Sequence, residues 1–157
     1  MKETIYIETS IFGYLTARPS NNLIVMGNAA ITREWWESRR SQFILYASKI
    51  VVNEVAQGDA EIAAQRLEIL REIELLEPNQ AVEDLGNQFL AQSNLPQKAA
   101  ADAFHIAFAT VYRLDYLLTW NSKHIANAQI QKKLSQISLE YGYKLPTLCT
   151  PYELKGE

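Results

Sequence analysis

Residues Gln97 to Tyr112 are apolar almost all the way round a helical wheel. Ala99, Ala100, Ala101, Ala103, Ala107 and Ala109 are packed among Phe104, Ile106, Phe108 and Val111. A helix without a polar face has to be covered on every side, so it is buried rather than amphipathic. The pattern predicts one helix over 97–112, entered through an Asn94-Leu95-Pro96 turn with Pro96 suited to a first helical position. Asp102 then falls in the second turn, past the first-turn sites where a carboxylate simply favours a helix N-terminus. Leu114 to Thr119 reads as a short strand ending in Trp120-Asn121, followed by a helix that carries Lys123 and His124. In α/β proteins, ligands bind at that end of a strand.

The rest of the chain supplies the layers such a helix needs. Strands are expected at Thr4 to Ile7, Gln42 to Ala47, Ile73 to Leu76 and around Thr147 to Cys149. Helices or turns are expected over Ile11 to Ala17, Leu23 to Arg40, Ile50 to Gln57 (with Ser48 as a cap), Asp59 to Arg71, Pro78 to Ala91 and Ala126 to Tyr141. Strands alternating with helices predict an α/β fold, a three-layer α/β/α sandwich around a central, mostly parallel sheet. The 157 residues make one domain, large enough for a core without staples.

Composition narrows the function classes. A net charge of −3 gives no basic footprint for nucleic acid. The single cysteine, Cys149, excludes an internal disulfide or a cysteine-based metal site and reads as a core residue. No apolar run approaches the roughly 20 residues that cross a bilayer, and the N-terminus lacks a signal-peptide core. The expected location is cytoplasmic.

Three carboxylates lie among apolar neighbours: Glu8 at the end of the first strand, Glu54 on the helix after the second, and Asp102 on the buried helix. Carboxylates are seldom buried unless paired or bound to a metal. Two of them at about 4 Å would repel by about 4 kcal/mol at an effective dielectric near 20, and a cation or a raised pKa would offset this. Oxygen ligands without cysteine favour Mg²⁺ or Mn²⁺ over zinc, which suits chemistry on phosphate. The alternative for each acid is structural: Glu54 pairing with an arginine, Glu8 accepting strand-end amides.

Four motifs in order, Tyr6-Ile7-Glu8-Thr9-Ser10, Val52-Asn53-Glu54-Val55, Ala101 to Ala107 (ADAFHIA) and Leu118-Thr119-Trp120-Asn121, resemble the pattern of PIN domains. The chain is most similar to the VapC-like toxins of bacterial toxin–antitoxin pairs, and its closing Thr150-Pro151-Tyr152-Glu153-Leu154 fits the same pattern. The resemblance implies a Mg²⁺- or Mn²⁺-dependent ribonuclease in which Glu8, Glu54 and Asp102 hold metal and Asn121 fills the fourth position. Thr9 would orient Glu8 or a bound water, with Ser10 beside it. It also implies an antitoxin partner, an RNA substrate and a homodimer. Two positions depart from the pattern, since the first and fourth acids are usually Asp. Glu8 is longer by about 1.5 Å of bond, and Asn121 keeps an oxygen but loses a charge, so one metal, or a weak second one, is expected.

His105, three residues after Asp102, is expected either as a core histidine or as a hydrogen-bond partner of that carboxylate. His124, close behind Asn121, is expected to be the more exposed, with contact to phosphate the lesser of its readings. Of Trp35 and Trp36, one is expected in the core and the other as an interface anchor. The Tyr112–Tyr116 and Tyr141–Tyr143 aromatics read as packing. A basic rim for RNA would draw on Arg18, Arg33, Arg39, Arg40, Lys98, Lys123, Lys132 and Lys133. Two other readings compete: a degenerate PIN domain that binds RNA or protein without catalysis, and a receiver- or phosphatase-like domain, which would want Asp rather than Glu8 after the first strand.

Overall fold

The computed structural model describes residues 1–93 and 95–156. Its elements are β1 (Glu3–Ile7), α1 (Thr9–Leu15), α2 (Leu23–Ser38), β2 (Phe43–Ser48), α3 (Lys49–Val55), α4 (Ala60–Leu70), β3 (Glu74–Leu76), α5 (Gln80–Gln92), α6 (Ala100–Val111), β4 (Tyr116–Leu118), α7 (Ala128–Glu140) and β5 (Thr147–Cys149). All strand pairings are parallel, in the order β3-β2-β1-β4-β5. Right-handed crossovers put α1 to α4, which touch one another, on one face and α5 to α7 on the other. This is the three-layer α/β/α sandwich expected from the sequence.

β1 is the central strand, and Ile5, Tyr6 and Ile7 are fully buried, as a strand covered on both faces must be. The chain moves outward from β1 through β2 to β3, then returns to the other side of β1 as β4. That reversal leaves a crevice beyond the C-terminal ends of β1 and β4, the topological switch point where open parallel sheets bind ligands.

Several local expectations are corrected. Residues Gln97–Ala99 form a 3₁₀ turn, so α6 starts at Ala100 and Asp102 lies in its first turn, not its second. The helix dipole therefore supplies part of the reason for an acid there. Pro96 stands just before the 3₁₀ turn rather than inside a helix, and its carbonyl accepts from Ala99 N at 2.8 Å; Asn94 lies outside the described residues. Lys123 and His124 are not helical: they form a turn capped by Asn121, and α7 begins only at Ala128 behind the Asn127 cap. Ser48 occupies the cap position of α3 without a capping bond, because its hydroxyl is engaged with Tyr6.

α6 is closed by Arg113 in the left-handed region (φ 58°), where glycine is the usual choice. Arg113 N reaches Thr110 O at 3.1 Å and Leu114 N reaches Ala109 O at 3.0 Å. The Arg113 guanidinium lies 5.0 Å from the centre of the Tyr143 ring, whereas Tyr141 is exposed rather than packed. Trp35 is the core tryptophan, donating from Nε1 to Leu154 O at 3.0 Å, and Trp36 packs at the core margin under Arg40. Cys149 is buried, and burial first, then Glu153, pushes its thiol pKa up to about 12. Among the described residues, no helix is long and apolar enough to cross a membrane.

α5 and α6 meet where Gly86 faces Phe104. A Cβ on Gly86 would stand 2.4 Å from the Phe104 ring. Gly86→Ala should therefore lower stability in urea denaturation by about 1 kcal/mol: the helix gains roughly 1 kcal/mol of propensity, and overpacking costs roughly 1–3 kcal/mol.

Candidate functional site

Three hydrogen-bonded groups meet beyond the ends of β1, β2 and β4. The first is built on Glu8, which has the extended backbone of an N-cap (φ −82°, ψ 159°) and caps α1. Its Oε1 accepts from Ser10 N at 3.1 Å, Ser10 Oγ at 2.5 Å and Thr119 Oγ1 at 2.6 Å. The same two hydroxyls accept from the next strand's end, Ser10 Oγ from Trp120 N and Thr119 Oγ1 from Asn121 N, both at 2.9 Å. Glu8 is thereby locked across the switch point, and it is nearly buried.

The second group centres on Glu54 of α3. Its Oε1 accepts from Thr9 Oγ1 at 2.5 Å and meets His105 Nε2 at 2.6 Å. Thr9 thus orients Glu54 rather than Glu8. His105 is fully buried, and its Nδ1 lies 2.7 Å from the Tyr6 hydroxyl, itself 2.7 Å from Ser48 Oγ. Burial opposes ionisation of Glu54, but the His105 hydrogen bond and charge and the Thr9 hydroxyl outweigh it, holding the carboxyl below its ordinary range. An ionised carboxylate only accepts, so His105 Nε2 carries a proton and donates. Tyr6 is pushed well above the usual phenol range by burial, helped by the Glu8 and Glu54 charges and opposed by Ser48.

The third group joins Asp102 to His124, with Oδ2 and Nδ1 3.1 Å apart. Both side chains are largely covered, 17% and 16% exposed, and His124 is the more exposed of the two histidines, as expected. The Asn121 carboxamide oxygen accepts from Lys123 N at 3.2 Å and His124 N at 3.0 Å, which fixes the turn that presents the imidazole. His105 is the satisfied core histidine that was one of its two expected roles, with Nε2 serving Glu54, and it is His124 that serves Asp102.

In all three acids one oxygen takes the protein's donors. Glu8 Oε2, Glu54 Oε2 and Asp102 Oδ1 have no hydrogen-bond partner among the described residues. No buried side-chain nitrogen or oxygen there is left unpaired, so these second oxygens reach solvent. They are hard donors of the kind Mg²⁺ and Mn²⁺ take. Among the described residues no three His, Cys, Asp or Glu side chains already stand as a set around one ion. Mg²⁺ is commonly held by one or two carboxylates and several waters, so the acids fit a partly hydrated ion rather than a closed cage. Asn121, its oxygen committed to two amides, fits as the holder of His124.

Three further residues belong to this framework: Tyr6, Ser48 and Thr119. Their signal in the sequence was slight, a tyrosine inside a strand of isoleucines and hydroxyls at two strand ends. Of the basic rim, Arg18 pairs with Asp59, Arg33 binds Ala17 O and Arg39 binds Gln42, while Lys98, Lys123, Lys132 and Lys133 form no ion pair among the described residues.

No family model and no curated protein sequence matches the chain. Among solved structures, it is similar to a chain in the crystal structure of VapBC2 from Rickettsia felis bound to a DNA fragment from their promoter. That match has a TM-score of 0.52 and 18% identity, and it covers 77% of this chain and 90% of that one. The two share a fold, and the PIN-like architecture implied by the four motifs is the one observed.

The Glu54 network carries a pH signature. Because the native carboxyl titrates below its ordinary value near 4.5, the stability it contributes is complete above that value. It is lost as pH falls through the lowered native value. Melting temperature followed from neutral to acid pH should show a shallower acid-side decline in Glu54→Gln than in the parent protein. Parallel declines would mean that the network does not stabilise the charged form.

Proposed function

We propose that the chain is a VapC-like ribonuclease toxin, held in check by an antitoxin, that hydrolyses RNA phosphodiesters with the help of Mg²⁺ or Mn²⁺. The supporting observation is the arrangement of Glu8, Glu54 and Asp102 around the switch-point crevice, each anchored through one oxygen and open to solvent through the other. The fold shared with the VapBC2 chain supports the same reading.

On this reading Glu8, Glu54 and Asp102 hold the cation. When bound, it would lower the pKa of a water and neutralise charge developing on the phosphate. The protein's own part is orientation. Ser10 and Thr119 stop the Glu8 carboxylate from rotating, and Thr9 and His105 do the same for Glu54. Asn121 fixes the turn from which His124 meets Asp102. Such outer partners, though they touch no ligand, commonly set metal affinity.

A second reading, a PIN-like domain that binds RNA or protein without catalysis, draws support from the committed oxygen of Asn121 and the absence of a ready-made three-acid set among the described residues. Calorimetric titration with Mn²⁺ separates the two. Saturable binding at or below roughly millimolar metal favours the enzyme, and its absence favours the binding module.

The ribonuclease reading predicts that chelation abolishes RNA cleavage and that Asp102→Asn relieves growth inhibition on expression. Metal-free cleavage, or a fully toxic mutant, would overturn it. His105→Leu should weaken Mn²⁺ binding by about 10- to 100-fold, and His105→Gln, whose amide can donate where Nε2 does, should recover part of the loss.

A further inference from the structure

A cleft of about 520 Å³ lies beside the carboxylates rather than over them. We propose that it is a base-binding subsite, taking one unstacked nucleobase of single-stranded RNA next to the bond that is cut. This inference rests on the ribonuclease reading.

Position comes first. The cleft is walled by α3, the start of α5, and α6. Asn53 on its rim immediately precedes Glu54, and Phe104 on its wall immediately precedes His105, the residue that holds Glu54. The subsite and the candidate metal site are therefore carried by the same two helices.

The lining chemistry follows. Phe104, Phe108 and Ile50 offer an aromatic and aliphatic surface, while Asn53, Lys49 and Glu83 stand at the rim. These three rim residues are exposed, and their side chains make no hydrogen bond or ion pair among the described residues. An unpaired carboxamide and carboxylate can read the edge of a base, and the ammonium can meet an adjoining phosphate. Proteins that recognise single-stranded RNA combine these elements, stacking on aromatic rings with hydrogen bonds to base edges. Gly86 leaves room for the Phe104 ring, since a Cβ there would meet it. A saturated or purely aliphatic ligand would leave the rim amide and charges unused.

The test uses the whole protein. In the first arm, the metal-free protein is titrated with AMP, GMP, CMP, UMP and, separately, ribose 5-phosphate, while Phe104 and Asn53 are followed by NMR. Saturable shifts are expected with at least one nucleotide, at lower concentration than any caused by the sugar phosphate, which can meet only Lys49. No shift with any nucleotide overturns the subsite, whether or not the protein is a nuclease. In the second arm, Lys49→Ala/Asn53→Ala is compared with the parent on an RNA oligonucleotide and on bis(p-nitrophenyl) phosphate, a diester without a base. KM for RNA should rise about ten-fold, the loss of one or two polar contacts, with kcat and diester cleavage unchanged. An unchanged KM in an active enzyme refutes the subsite and leaves the ribonuclease reading standing. A change in sedimentation instead of KM would give the cleft to a second copy of the chain, which also refutes it. If the parent cleaves neither substrate, the ribonuclease reading fails, and the first arm still decides whether a base binds here.

Discussion

Everything in this molecule hangs on β1 being paired on both sides. Its backbone bonds to β2 and β4 at once, and its side chains are covered by helices on both faces. A strand so enclosed opens to polar groups only at its two ends, and Glu8 stands at the C-terminal one. Because the chain leaves toward β2 and returns as β4, that outlet opens into a crevice rather than onto another crossover. The other acids reach it from helices that follow β2 and precede β4. The site is thus a consequence of strand order before it is a matter of side-chain chemistry.

Hydroxyls and imidazoles then decide how far the acids are neutralised. A carboxylate with both oxygens satisfied by the protein would have little left for a ligand, and one with neither would be costly to enclose. Here each acid is half satisfied. The donors on Glu8 are neutral hydroxyls and an amide, which steady the charge without cancelling it. The ring that serves Glu54 is fully buried and closed on its other side by Tyr6 and Ser48, so its direction is fixed by three elements. Anchoring one oxygen limits rotation of the whole carboxylate, so the open oxygen is held in direction as well.

What the sequence made legible follows from the range over which each signal acts. Strand and helix alternation is local and strongly periodic, so the layers could be read, as could the burial of α6. The three acids stood out because each sits in an apolar run. The partners of those acids could not be read, since Thr119 meets Glu8 across 111 positions and His105 meets Glu54 across 51. The apolar surroundings of His105 marked it as a core histidine, as it is, but spacing on one helix offered only Asp102 as an acid for it, and the partner is Glu54 of another helix. The start of α6 was missed because alanines continue the helical pattern through Gln97–Ala99, while the backbone there forms a 3₁₀ turn behind Pro96. Asn121 and Asn127 were both capping residues, and two caps six residues apart leave room for a turn but not for a helix.

The two departures from the PIN pattern compensate one another. The extra methylene of Glu8 is absorbed by folding the side chain back over its own helix, where the carboxylate reaches Ser10 N as a cap, a position normally filled by shorter side chains. Asn121 removes one negative charge from the crevice and spends its oxygen on the turn that delivers His124 to Asp102. Three acids with an imidazole alongside repel one another less than four acids would, so this site depends less on a cation to hold its shape. A gentler field also means a weaker pull on that cation. On the ribonuclease reading proposed above, Glu8, Glu54 and Asp102 would hold the cation without help from a fourth acid, since the Asn121 oxygen is spent on Lys123 N and His124 N.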